Sequence, residues 1–323
     1  MAVPVTLVAL LHWRGAPVAW SFFISTCFKG SCERVTWMAL VAALVFRTLM
    51  HDMDIMIIIY LVSLLVYSNS CLVAWPHSET VQRFLQNMSA YFPAELGGEY
   101  ESVLPERSLL SVHPHGMLAA GYASTIGFNS HFSPRPVLLV NRILREHNAL
   151  FKLLTDLDGG FATLDGTTLG KLLQSGKNVA LLPGGLEEAA VSQFGRERVV
   201  LKGKTGFIKR ALQAGSRVHP VYVFGENRTY FTFSLPAGTI SSWLNRVGMP
   251  TVVGYGRFPW VFMPFRTPLR AFVGAPLVLP HIREPTEKEL EHWCEEYKNA
   301  LVKVFDDNKE EAGLDAKTTL EIL

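Results

Sequence analysis

The sequence predicts an α/β protein, a mixed sheet flanked by helices and preceded by an N-terminal membrane helical hairpin. Three observations carry that expectation. Beyond residue 108, short apolar runs alternate with segments of helical spacing, the pattern of a largely parallel sheet with crossover helices. Before residue 76, two apolar stretches are separated only by His51-Asp52-Met53-Asp54. The composition, 49% hydrophobic and 18% charged over 323 residues, suits a membrane-associated chain better than a freely soluble one.

In chain order, Val3 to Leu11 is apolar, lacks a basic leader and runs into His12-Trp13-Arg14, so an interfacial segment fits better than a removable signal peptide. Val35 to Met50 is apolar apart from Thr36, Thr48 and Arg47, whose long cation can snorkel, and Ile55 to Trp75 has about the roughly twenty residues a bilayer core demands. The competing reading is a pair of buried core helices. Arg14, Lys29 and Arg34 precede the pair, Arg83 follows it and two aspartates mark its tip, so the positive-inside rule puts both chain ends in the cytosol. The expected organisation is a cytosolic, interfacial segment 1–34, a transmembrane hairpin 35–75 and a cytosol-facing, membrane-associated domain 76–323. The sequons at Asn87 and Asn227 would then stay unmodified. A net charge of +2 is too small to imply nucleic acid as a partner and no basic tract suggests one, while four scattered cysteines read as reduced thiols.

In the domain, the run Leu109 to Val112 reads as a buried strand that delivers His113-Pro114-His115-Gly116 into a turn, followed by a helix over Met117 to Phe128. Strand and helix then alternate: Pro136 to Val140, Arg142 to Leu157, Phe161 to Leu164, Thr167 to Gln174, Asn178 to Leu182, a helix around Thr205 to Ala214, and Val218 to Phe224. Thr286 to Asn308 reads as a terminal amphipathic helix opened by a capping box with Glu289. The prolines and aromatics of 254–265 oppose a regular helix and fit a bilayer contact or an acyl-chain path.

In parallel sheets ligands bind beyond the carboxyl ends of strands, where the histidine turn, the Pro183-Gly184-Gly185 turn and Phe224-Gly225-Glu226 all fall. His115, just ahead of a helix whose dipole disfavours imidazolium, suits a proton acceptor near neutral pH. The plain alternatives are histidines without a task or metal ligands, but His131, His147 and His219 fall in no ligand-like cluster. Neither a Gly-x-Ser-x-Gly elbow nor a P-loop is present. Amides at Gly184 and Gly185 suit an oxyanion or phosphate, Glu188 suits the orientation of an imidazole, and Lys202, Lys204, Lys209 and Arg210 form either a solvated basic face or a dock for a polyanion.

Five blocks in order, Tyr91-Phe92-Pro93, His113-Pro114-His115-Gly116, Gly184 to Ala189, Gly206 to Ala211 with Gly215, and Pro220 to Glu226, resemble the type-2 diacylglycerol acyltransferase family, which includes monoacylglycerol and wax-alcohol acyltransferases. Two positions depart from its pattern: Lys204 where arginine is usual, and Leu186 where a small residue is usual. The resemblance implies an acyltransferase-like sheet and transfer of an acyl group from acyl-CoA to diacylglycerol, with monoacylglycerol or a long-chain alcohol as alternative acceptors. It implies His115 as general base, His113 assisting it or the oxyanion, and Glu188 orienting the base. It also implies Gly184, Gly185, Lys204, Lys209 and Arg210 at the acyl-CoA, with no metal and no permanently bound cofactor. The orienting carboxylate has to come from elsewhere in the chain, because the position five after His115 is Ala120 and five after His113 is Leu118, where phosphoglycerol acyltransferases carry Asp. That absence also weighs against a lysophospholipid acyltransferase. A non-catalytic lipid-droplet or membrane-shaping protein would leave the polar strand ends unexplained. The implied setting is the endoplasmic reticulum membrane and lipid droplets, with the bilayer as partner and room for a homo-oligomer.

Overall fold

The computed structural model describes residues 77–128, 131–147, 149–234, 252–257 and 263–323. The hairpin expected over 35–75 and the segment before it lie outside these residues, and among those described no helix is long and apolar enough to cross a membrane. The chain divides into two compact units, one of 82–142 with 160–323 and one of residues up to 81 with 143–159.

The elements run α1 (Glu79–Ser89), β1 (Ala94–Gly98), β2 (Ser108–His113), a π-helical segment (Tyr122–Gly127), β3 (Val137–Asn141), α2 (Arg142–His147), α3 (Ala149–Asp158) and β4 (Phe161–Leu164). They continue with α4 (Gly166–Gln174), β5 (Val179–Leu181), α5 (Gly185–Val191), β6 (Arg198–Val199), α6 (Gly206–Ala214), β7 (Arg217–Phe224) and β8 (Phe231–Ser234). The last are β9 (Val252–Tyr255), β10 (Leu269–Val273), β11 (Leu277–Val278), α7 (Glu287–Asn308) and β12 (Glu321–Ile322).

The larger unit is built on a sheet in the order β1-β10-β7-β2-β5-β3-β4, with β11 joined to β7. The strands β7, β2, β5, β3 and β4 are parallel, and β10 runs antiparallel to β7 with β1 parallel to β10. The fold is thus the expected mixed sheet flanked by helices. The central strand β2 is buried along its whole length, as a parallel strand covered on both faces must be. Period-two alternation sends Leu109 to the core shared with Leu173, Ile208, Leu212, Leu301 and Phe305, and sends Leu110 and Val112 to the opposite core with Tyr122, Ile126, Val221 and Ala271. Each such side chain contributes about 1.5–3 kcal/mol by leaving water, which is why the strand cannot slip by one residue.

Two expected helices differ. Arg142 to Leu157 comes as α2 and α3. Met117 to Phe128 opens with turns and continues as a π-helical segment, in which the Phe128 N–H reaches the Ala123 carbonyl at 2.9 Å and the Thr125 hydroxyl donates to the Gly121 carbonyl at 2.6 Å. A hydroxyl that competes for a main-chain carbonyl in this way favours such a departure from α geometry.

Tyr91-Phe92-Pro93 staples the edge of the sheet: the Tyr91 hydroxyl donates to the Pro264 carbonyl at 2.8 Å, Phe92 is buried and the Pro93 carbonyl accepts from Leu269 N–H at 2.8 Å. In the smaller unit, Ser78 N–H donates to the Leu157 carbonyl at 2.8 Å, and Asp156 accepts from Arg145 at 2.5 Å and Lys152 at 2.6 Å.

Candidate active site

Three neighbouring parallel strands, β7, β2 and β5, end on one edge, and the histidine turn, the Gly184-Gly185 turn and Gly225-Glu226 follow them there. Alternation along β2 puts His113 on the face of Leu109 and Ser111, opposite Tyr222 of β7 in the register. His113 is fully buried. Its Nδ1 lies 3.0 and 3.1 Å from the two carboxylate oxygens of Glu188, in the first turn of α5. A carboxylate accepts, so Nδ1–H donates, and the buried Nε2 has no partner among the described residues. Glu188 also accepts from the main-chain N–H of His115 at 3.1 Å. Gly184 has no Cβ because one would occupy the place of this carboxylate.

These contacts correct one expectation. Glu188 orients an imidazole, but the ring is that of His113; what it holds of His115 is the backbone. The reason is alternation: His113, as the last residue of β2, points into the face on which α5 places Glu188, while His115 lies beyond the strand in the turn.

The His115 Nδ1 lies 3.0 Å from the Gly116 carbonyl oxygen, which only accepts, so the proton sits on Nδ1 and the lone pair on Nε2. The residue as a whole is half-buried. Burial holds its pKa below the ordinary histidine value, against smaller opposing effects of the Gly116 carbonyl and the Glu188 charge. His115 is therefore a neutral imidazole with one nitrogen free to take a proton. Among the described residues no group of His, Cys, Asp and Glu is arranged to hold a metal ion.

The residues expected at an acyl-CoA are divided. Lys204, just ahead of α6, pairs with Glu187 at 2.9 Å, and Lys209 is exposed one turn into α6. Arg210 stands apart from them: its Nη1 donates to Gln213 at 2.8 Å and its guanidinium lies along Gly166 of α4. Adjacent positions on a helix point about 100° apart, so Lys209 and Arg210 leave α6 in different directions. Gly184 serves the Glu188 carboxylate, whereas Gly185, with φ +54°, faces open space.

Sequence reasoning missed a second layer. The Tyr297 hydroxyl of α7 and the Ser111 hydroxyl are 2.6 Å apart under His113, and the Tyr222 hydroxyl donates to buried Glu197 at 2.7 Å. Burial, and then the nearby Glu197 and Glu188 charges, raise the Tyr222 pKa well above the usual tyrosine value. On the other face of β7, Glu226 accepts from the N–H groups of Ala120 at 3.1 Å and Gly121 at 2.5 Å. Its place directly after a strand end was the available signal for Glu226; nothing local marks Tyr297. Beyond β7, Asn227 is buried and donates to the Arg196 carbonyl at 2.7 Å.

A histidine turn, a glycine turn and a basic helix start at the ends of parallel strands, in the order of the five sequence blocks, define the class. The chain belongs to the diacylglycerol acyltransferase family, whose model matches residues 44–323. It is 31% identical to the mouse diacylglycerol O-acyltransferase 2-like protein 6 over 270 residues, covering 77% of this chain and 79% of that one. It is 28% identical to mouse diacylglycerol O-acyltransferase 2 over 273 residues, 77% of this chain and 68% of that one. Among solved structures, the 1-acyl-sn-glycerophosphate acyltransferase PlsC of Thermotoga maritima matches with a TM-score of 0.41 and 16% identity, covering 70% of this chain and 77% of that one.

Proposed function

We propose that the protein transfers the acyl group of an acyl-CoA to the free hydroxyl of diacylglycerol, giving triacylglycerol and CoA. Membership of the family supports the reaction. The observation that carries the mechanism is the tautomer of His115, with Nδ1–H tied to Gly116 and Nε2 free. In this reading Nε2 takes the hydroxyl proton as the alcohol oxygen bonds to the thioester carbonyl carbon. Collapse of the tetrahedral adduct breaks the C–S bond, and the proton passes to the leaving thiolate. A thioester is already activated, so the chemistry needs a base and an oriented acceptor, and a general base is worth about 10²–10⁴-fold. The Glu188–His113 pair braces the turn from below, and in this reading Lys204 and Lys209 at the start of α6 meet the CoA phosphates.

A second reading exchanges the histidines. The carboxylate on His113 Nδ1 and the unpartnered Nε2 are what a base held by an orienting group requires. His115 is preferred because the residue is partly exposed, while His113 is wholly enclosed.

The reading extends to cellular position. The charges flanking 35–75 and a bilayer-soluble acceptor support insertion in the endoplasmic reticulum membrane with both termini cytosolic, and lipid droplets as a second location. The test is purified protein with labelled acyl-CoA and a panel of diacylglycerol, monoacylglycerol, long-chain alcohol and lysophosphatidate. Labelled triacylglycerol is expected; label only in a phosphorylated acceptor, or in none, overturns the reading.

A further inference from the structure

Glu226 is a fully enclosed carboxylate that the mechanism above does not use. It reaches from the end of β7 to the segment after the histidine turn, where its Oε1 accepts from Ala120 N–H and its Oε2 from Gly121 N–H. It also packs flat against the turn itself. A Cβ on Gly116 would collide with Oε1, Cγ and Cδ of Glu226, and Gly116 has φ +58°, so glycine is required there by space and by conformation. A Cβ on Gly121 would likewise meet Glu226 and Val223. Gly116 in turn supplies the carbonyl that holds the His115 ring. The turn is thus gripped on both sides by buried carboxylates: Glu188 holds His113 and the His115 amide, and Glu226 holds the amides of Ala120 and Gly121.

We infer that Glu226 is a positioning residue for the transfer reaction, its ionised carboxylate clamping the backbone after Gly116 and so fixing the ring of His115, an inference that rests on the function proposed above. The charge matters because two N–H donors need two acceptors. An ionised carboxylate supplies both, whereas an amide sets an NH2 donor against one N–H and a carboxylic acid carries a proton on one oxygen, which weakens it as an acceptor. Burial raises the Glu226 pKa to about 7, partly offset by the two backbone donors. Tyr230, just after the strand end, feels the Glu226 charge and that of Tyr91, which in turn faces Arg257 and Arg266. The clamp is therefore strongest above that pH and weakened below it.

The test is Glu226→Gln, which keeps size and removes charge. Misplacing a reacting group by about 1 Å costs up to about 100-fold, so kcat should fall about 10- to 100-fold with the acyl-CoA KM unchanged. The wild-type rate should fall on the acid side near the titration of Glu226; in the variant that limb should move to lower pH, where His115 titrates. A merely structural glutamate would not move the limb. Hydrogen exchange on the unsubstituted protein gives a measure independent of any variant's folding and of activity. Corrected for intrinsic pH dependence, the Ala120 and Gly121 amides should lose protection as pH falls through the Glu226 titration. Unchanged kcat and acid limb in Glu226→Gln, or protection that does not change with pH, overturns the inference. A wild type inactive on every acceptor overturns the function reading instead, and the exchange result then decides the clamp by itself.

Discussion

His115 draws its proposed role from three local facts: it follows a strand end, its neighbour Gly116 offers a carbonyl to Nδ1, and burial keeps it neutral. His115→Ala is expected to reduce acyl transfer to background with unfolding temperature unchanged, because His115 is partly exposed and belongs to neither hydrophobic core. His113→Ala is expected to destabilise as well, because it leaves the enclosed Glu188 carboxylate without its ring donor, at about 1–3 kcal/mol or more for a buried acceptor that loses its hydrogen bond. Activity near wild type in His115→Ala with loss confined to His113→Ala would transfer the base to His113. This pair was legible because it is contiguous in sequence. Glu188 was legible as an orienting carboxylate, yet which ring it meets depends on alternation along β2 and on the placement of α5, neither of which a motif records.

Lysine and arginine at the start of α6 separate by role once the helix is in place. Lys204 is held by Glu187, which is 70% exposed, and a surface pair of this kind is worth about 1 kcal/mol at most. In the proposed reading, a polyanion docking at Lys204 would displace Glu187 at little cost. Lys204→Ala and Lys209→Ala should raise the acyl-CoA KM more than they lower kcat, less so at high salt, and Glu187→Gln should lower that KM by up to about fivefold. Arg210→Ala should leave KM alone and lower stability by loosening α6 from α4. Steady-state kinetics at two ionic strengths, beside thermal unfolding, distinguish these outcomes. At the other end of the chain, the capping box of α7 is formed as the sequence implies, Thr286 accepting from Glu289 N–H and the Glu289 carboxylate from Thr286 N–H. Thr286→Ala should cost about 0.5–2 kcal/mol, measured by denaturant unfolding. Its effect should reach the site, because α7 carries Tyr297 to Ser111 beneath His113. Capping is a matter of four consecutive residues and could be read in advance. That the helix it opens would lie under the central strand is set by packing across the whole domain, and could not.

At the scale of the molecule, the alternation of apolar runs and helical spacing was enough to read a largely parallel sheet with polar turns at one edge, because each run is local and each turn residue marks its end. Strand order was not readable. The edge pair β1 and β10 joins the beginning of the domain to its last third, and the pairing rests on main-chain hydrogen bonds and on a shared apolar face to which many registers of similar composition could contribute.

One such long-range placement bears on which side of a membrane the chain can fold. Asn227 stands in an Asn-Arg-Thr sequon, yet its side chain is enclosed and its amide is committed to Arg196. Oligosaccharide is added to lumenal chains as they emerge, before burial can protect the asparagine, and a glycan is far too bulky to be enclosed afterwards. A copy driven across the membrane by an added signal peptide should therefore be glycosylated and inactive, and Asn227→Gln should remove the Asn227 glycan. A translocated, glycosylated and fully active copy would contradict this. The exposed Asn87 can report the orientation of a finished molecule, whereas a glycan on Asn227 is expected to keep the chain from folding, so that side of the membrane would be closed to it before folding begins.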